Sequence, residues 1–210
     1  MQGIRNYFTG LLLFVFTMSA MGQKKVEKVF PSSGISSMEI QGLNAYKIIV
    51  FAKKTDHVRI QAQMNGEYRN ELYVVANVEE HTLNVKAEFS PSFDMPDDKL
   101  SAHKVISVRI IVEVPEYLEV LVLGADTEVD VSGKYNQVKT KTRSGTTRFY
   151  DVEGDLDAYS FQGDIRYKSS GGNIKASSKF GKVINRGVSS GNSLISLKTV
   201  HGNIYISQNE

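Results

Sequence analysis

The chain has 210 residues and a mass of 23.4 kDa, room for one sizeable hydrophobic core or two small ones. With 41% hydrophobic and 23% charged residues it reads as globular, which excludes a disordered tail and a multispanning membrane protein. A formal charge of +2 leaves no global field for nucleic acid, and the absence of Cys excludes disulfides, thiolate metal sites, iron–sulfur clusters, a Cys nucleophile and a lipidated N-terminal Cys.

Arg5 is the only charge before Lys24, and it precedes the apolar run 11–18 and the small residues Ala20 and Gly22. This order predicts a secretory signal peptide over residues 1–22, cleaved before Gln23. An eight-residue apolar run is too short to cross ~30 Å of hydrocarbon, so no membrane span is expected after cleavage. The mature protein is expected to be exported, to the periplasm or the cell surface.

Period-two patterning dominates from about residue 35. Segments 35–41, 45–53, 57–64, 71–78, 82–90 and 104–114 are rich in Val, Ile and Tyr and bounded by Gly, Asn, Asp or Pro. Val58 to Met64 alternates apolar and polar without a break, as a half-buried strand does. No window keeps a helical apolar stripe, so the chain is predicted all-β. Residues 90–101, with Pro91, Pro96 and Asp97-Asp98, read as one long loop. Pro115 divides an N-terminal region of antiparallel or irregular strands (23–115) from a repetitive region (116–210) continuous with it.

In that second region glycines fall at 124, 133, 145, 154, 163, 172, 181, 191 and 202. Asp155, Asp164, Asn173, Asn192 or Asn203 follows Gly, and Leu156, Ile165, Ile174, Val183 or Ile204 comes next. A turn plus a short strand every nine residues or so predicts a β-solenoid, because such units bury an apolar face only by stacking. With two units per coil, residues about 18 apart stack: Leu156 on Ile174, Ala158 on Ala176, Ile165 on Val183. Gly is expected to supply positive φ at the corners, and Asp or Asn to bond its own turn.

Ile110-Ile111-Val112-Glu113-Val114-Pro115, followed by Leu118-Glu119-Val120, resembles the strand–Pro–strand entry of the bacterial "putative adhesin" family that includes the auto-transporter adhesin head (GIN) domains. Gly154-Asp155-Leu156 and Gly163-Asp164-Ile165 resemble its tandem repeats, and the likeness spans nearly all of 35–210. It implies an exported protein with a right-handed, single-stranded β-helix-like fold. The pattern weakens after Gly181, where Lys182-Val183-Ile184 lacks the Asp or Asn.

Signals for chemistry are few. The histidines 57, 81, 103 and 201 lack metal-ligand spacing. Gly187-Val188-Ser189-Ser190-Gly191 matches a nucleophile elbow as text, yet a β segment follows it and no acid separates Ser189 from His201. Asp151, Glu153, Asp155 and Asp157 alternate outward at ~6.6 Å, too sparse to share one Ca²⁺, and Asp157 is expected beside Lys175 in an ionic ladder. The sharper feature is charge. Residues 165–209 carry seven basic residues and no acid, whereas 23–133 carry 12 basic and 17 acidic. Arg166, Lys168, Lys175 and Lys182 are expected to converge on one or adjoining walls as a polyanion-binding surface. The expected function is a non-enzymatic envelope adhesin or ligand-binding module that needs no cofactor and takes an acidic glycan or other surface component. The alternatives are a scaffold that oligomerises through solenoid edges and a glycan-processing enzyme.

Overall fold

The computed structural model describes residues 24–66, 68–93, 106–169 and 171–208. The signal segment, the 94–101 part of the expected loop and His103 lie outside the described residues.

Among the described residues every regular element is a strand, as the alternation predicts. In chain order these are β1 (Lys24–Pro31), β2 (Ser37–Gly42), β3 (Lys47–Lys53), β4 (His57–Gly66) and β5 (Leu72–Glu79). Then come β6 (Thr82–Phe89), β7 (Ile106–Pro115), β8 (Leu118–Asp126), β9 (Glu128–Ser144) and β10 (Thr147–Ser160). The C-terminal strands are β11 (Ile165–Ser169), β12 (Asn173–Ser178), β13 (Val183–Asn185), β14 (Leu194–Thr199) and β15 (Ile204–Gln208). In β4 the reason is plain: Val58, Ile60, Ala62 and Met64 are buried while Arg59, Gln61 and Gln63 between them reach solvent.

The strands form one mixed, 15-stranded sheet with two ladders. The first runs β1-β4-β7-β3-β9-β10-β11-β15-β13. The second runs β5-β6-β2-β8-β9-β10-β14-β12. The long strands β9 and β10 belong to both: their first halves pair in the first ladder and their second halves in the second. Inward side chains of both ladders join a single hydrophobic core. β4 and β5 pair antiparallel with β7 and β6, and β1 antiparallel with β4, so the N-terminal end is closed by antiparallel strands. From β8 onward every pairing is parallel.

The 18-residue stacking holds in the middle of the molecule. Val120 pairs Val138, which pairs Leu156; Val129 pairs Thr147, which pairs Ile165. Beyond Ser169 it needs correction. Leu156 pairs not Ile174 but Ile195, and Ile195 in turn pairs Ile174. Leu197 likewise stands between Ala158 and Ala176, and Ile204 between Ile165 and Val183. The columns are those expected, but β14 and β15 slot between the layer before them and the layer of β12 and β13. Layer order in space therefore departs from order in sequence. As a result β12 and β13 lie outermost: Leu156 and Ile165 are fully buried, Ile174 only partly, and Val183 is 43% exposed.

Candidate functional site

The C-terminal layers share one corner, where the second ladder hands the chain to the first. Its repeating element is Ser/Thr-x-x-Gly: Ser160 to Gly163, Thr199 to Gly202, Ser178 to Gly181, in spatial order. Each hydroxyl accepts the N–H of its own Gly, at 2.8, 3.1 and 2.9 Å respectively. Thr199 also donates to the Gly163 carbonyl at 3.2 Å, and Ser178 to the Gly202 carbonyl at 2.8 Å. A Cβ at Gly163 would overlap the carbonyl oxygen of Gly145; at Gly202, that of Gly163; at Gly181, that of Gly202. None of these three glycines has positive φ, so close backbone approach, rather than a left-handed turn, is what requires them. The Asp and Asn residues after Gly do not bond their own turns either. Asp164 Oδ1 accepts the Asn203 N–H at 2.8 Å, and Asn203 Oδ1 accepts the Lys182 N–H at 3.0 Å. They latch one layer to the next.

This geometry separates the cations expected to converge. Arg166 and Lys168 share the outer face of β11, in the first ladder. The Arg166 guanidinium lies 4.8 Å from the centre of the Tyr205 ring and next to Arg148 in register. Lys182 is exposed at the corner, one residue before β13. Lys175 belongs to the other ladder, on β12, because successive units alternate between ladders. Ser196 stands between Lys175 and Asp157, so the expected ionic ladder is absent from that row. Nearer the middle of the first ladder cations are neutralised. Lys47 meets Glu128 at 3.0 Å and Asp130 at 2.7 Å, and Arg148 meets the same two at 3.0 and 3.3 Å.

The corner also collects exposed aromatic residues that the charge count passed over. Phe161, His201 and Phe180 come from three layers adjacent in space. The Phe161 ring meets His201 edge-on at 5.3 Å, and His201 stacks on Phe180 at 4.9 Å with 18° between planes. Phe161 is 42% and Phe180 64% exposed. Lys179 Nζ lies 5.1 Å from the Phe180 ring centre, and Tyr159 pairs Lys198 on the adjoining outer face of β10 and β14. The signal in the sequence was an aromatic ring or His within each Ser/Thr-x-x-Gly element, but their separations hide the stack.

Other candidates dissolve into structure. Ser189 sits in the exposed loop before β14, with no helix after it. Asp151 and Glu153 flank register shifts where β10 bends from one ladder to the other, and Asp155 accepts the Leu194 N–H at 2.9 Å. His57 bonds Thr55 at 2.8 Å and His81 bonds the Gly34 carbonyl at 2.8 Å. Among the described residues no three His, Asp or Glu side chains gather as metal ligands. A groove of ≈ 260 Å³ on the outer face of the second ladder, lined by Glu39, Thr82, Glu119, Gln137 and Lys139 among others, is acidic rather than basic.

No protein-family model matches the chain, and no curated protein matches it in sequence. Solved structures do. A "putative cell adhesion protein" from Clostridium sporogenes matches with a TM-score of 0.64 at 13% identity, covering 90% of this chain and 100% of that one. A "putative adhesin" from Bacteroides fragilis covers 90% and 98% at 12% identity with a TM-score of 0.39. A third, from Parabacteroides merdae, covers 89% and 97% at 8% identity with a TM-score of 0.29. At such identity the first likeness is one of fold. The chain therefore shares its all-β fold, over nearly its whole length, with a protein named for cell adhesion.

Proposed function

We propose that this is an exported, non-enzymatic, adhesin-like module, a right-handed β-solenoid in architecture, that binds an acidic glycan of the cell envelope through the C-terminal part of its first ladder. One observation carries the reading. Arg166 and Lys168 leave the same face of β11 in a stretch, 165–208, that contains no acid, while cations nearer the middle of the same ladder sit in ion pairs. Exposed ion pairs contribute ~0–1 kcal/mol each, so stability gives little reason to gather unpaired cations. The fold shared with a protein named for adhesion supports the same assignment and, with it, an exported or cell-surface location.

The test is binding of the chain 23–210 to polygalacturonate over a salt series. Affinity falls steeply as ionic strength shortens the Debye length below ~8 Å. Arg166→Ser with Lys168→Ser weakens binding at low salt and leaves the melting transition within about 1 °C, since both side chains are exposed. An unchanged affinity in that double variant overturns the assignment. Polymer length stays constant on prolonged incubation; shortening would reveal an enzyme. Sequencing of the exported N-terminus checks cleavage before Gln23.

A second reading, end-to-end assembly, has its own support. β12 and β13 pair on one side only and expose Val183 and Ile184, 43% and 37% accessible. Lys175, Lys179, Lys182 and Arg186 in the same outermost layer repel their counterparts in another copy, so salt would strengthen assembly while weakening glycan binding. Light scattering across concentration and salt separates the two.

A further inference from the structure

We infer that the corner formed by Phe161, His201 and Phe180 is a sugar-stacking subsite, in which Phe180 takes the apolar face of a pyranose ring and Lys179 with Lys182 takes its carboxylate. This rests on the glycan-binding reading and names the place where sugar is told apart from mere negative charge.

Three observations carry it. Phe180 lies in the outermost layer with one face against His201, and it remains 64% exposed. With His201 and Phe161 it makes one exposed aromatic patch across three layers, which is informative where a lone surface ring is not. Second, its surroundings are cationic. Lys179 Nζ is 5.1 Å from the ring centre, and Lys182 stands two residues on, its backbone fixed by Asn203. The acid in the column Asp164–Asn203–Lys182 is Asp164, which is engaged with the N–H of Asn203 at 2.8 Å and its side-chain amide at 3.4 Å. Third, the platform is rigid. Each turn is tied by hydroxyl and carbonyl bonds to the layer beneath, so little conformational entropy remains to be lost on binding.

The physics is specific to sugars. The C–H groups on one face of a pyranose are apolar and weakly positive, and they match the negative face of an aromatic ring. A uronic acid adds a carboxylate at the rim of that face. An aliphatic polyanion offers the charge without the ring face, and a neutral sugar the face without the charge.

Three probes decide it, polygalacturonate, its methyl ester and poly-glutamate, each against the parent, Phe180→Ala and Lys179→Ser, with Phe180→Tyr and the Arg166/Lys168 double variant as controls. The subsite predicts that Phe180→Ala weakens polygalacturonate and its methyl ester by about tenfold and leaves poly-glutamate unchanged. Lys179→Ser weakens polygalacturonate and poly-glutamate but not the ester. Equal weakening of all three probes by Phe180→Ala, or of none, overturns the subsite. If Phe180→Ala changes nothing while the Arg166/Lys168 double variant still loses binding, the subsite falls and the glycan-binding module stands. If neither variant changes affinity, both fall. Phe180→Tyr, which keeps a ring face, restores binding to the ester, whereas a merely structural role would show first as a lowered melting temperature.

Discussion

Residues 118–169 and 171–208 use the same strand-and-turn unit but assemble it differently. In the first stretch each layer lies on the one before it in sequence, 18 residues earlier, and as far as Arg148 several outward cations are paired across strands: Lys134 with Glu153, Arg143 with Asp126, Arg148 with Glu128. In the second, β14 and β15 return to fill the space between earlier layers, and outward cations have no acid in their stretch. The difference teaches that parallel stacking demands only matching faces. Any layer offering the right columns can be a neighbour, and connection length decides which one is. The segment between β13 and β14, residues 186–193, is long enough to carry the chain back.

The most forceful way to break this comparison is truncation after Gly191. The pairing partners of β12 and β13 are then gone, because among the described residues β12 pairs β14 alone and β13 pairs β15 alone. Amides of Asn173–Asn185 should lose their protection from hydrogen exchange together, while those of β9 and β10 keep theirs. Retained protection would mean that β12 and β13 can stack directly on β10 and β11 at the 18-residue offset. Interleaving would then be a choice between near-equal packings rather than a requirement.

Next in size is the corner. Gly163→Ala places a methyl group on the Gly145 carbonyl, backbone against backbone, and should cost about 3 kcal/mol or more. Gly187→Ala, in the loop before β14, meets no atom within 4 Å and strains only a φ of 84°, roughly 1–2 kcal/mol. Urea midpoints at constant m-value read both. Similar losses in the two variants would remove the close-approach account of the glycine column.

These contrasts also show what the sequence could and could not disclose. The strands from β2 onward, most inward residues and the membership of each column follow from alternation and glycine period, which report the unit itself; β1, before the first segment read as a strand, and the exposure of Val183 do not. Leu156, Ile165, Ile174 and Val183 fall where expected within their columns. Nothing in Leu156 or Ile174 distinguishes direct contact from contact through Ile195, because aliphatic residues suit either arrangement. The cation surface was half legible. Arg166 and Lys168 share a strand, and parity alone places them together. Lys175, three residues after its own Gly as Arg166 is, lands on the other ladder because units alternate. The aromatic corner was hidden by separation: His201 reaches Phe161 and Phe180 only because β14 and β15 are inserted.

The smallest expected effect sharpens the contrast in charge. A hydrogen bond from Arg148, then one from Lys47, holds the Glu128 carboxyl below its ordinary range. A carboxylate whose folded pKa is depressed stabilises the fold above its unfolded value, and that contribution is lost as pH falls through the lower, folded value. The Glu128 side chain is 45% exposed, so solvent screening keeps the contribution to a fraction of ~1 kcal/mol. Glu128→Gln should therefore narrow its stability gap from the parent as pH falls from neutral to below about 4, and the gap should shrink in high salt at neutral pH. Lys168→Ser, on the same ladder but in the acid-free run 165–208, should leave the acid limb of the stability curve where it was. Urea unfolding at several pH values measures both. If Glu128→Gln runs parallel to the parent at every pH, the central ion pairs contribute no more than the unpaired cations do. The charge contrast between the two stretches would then matter for binding alone.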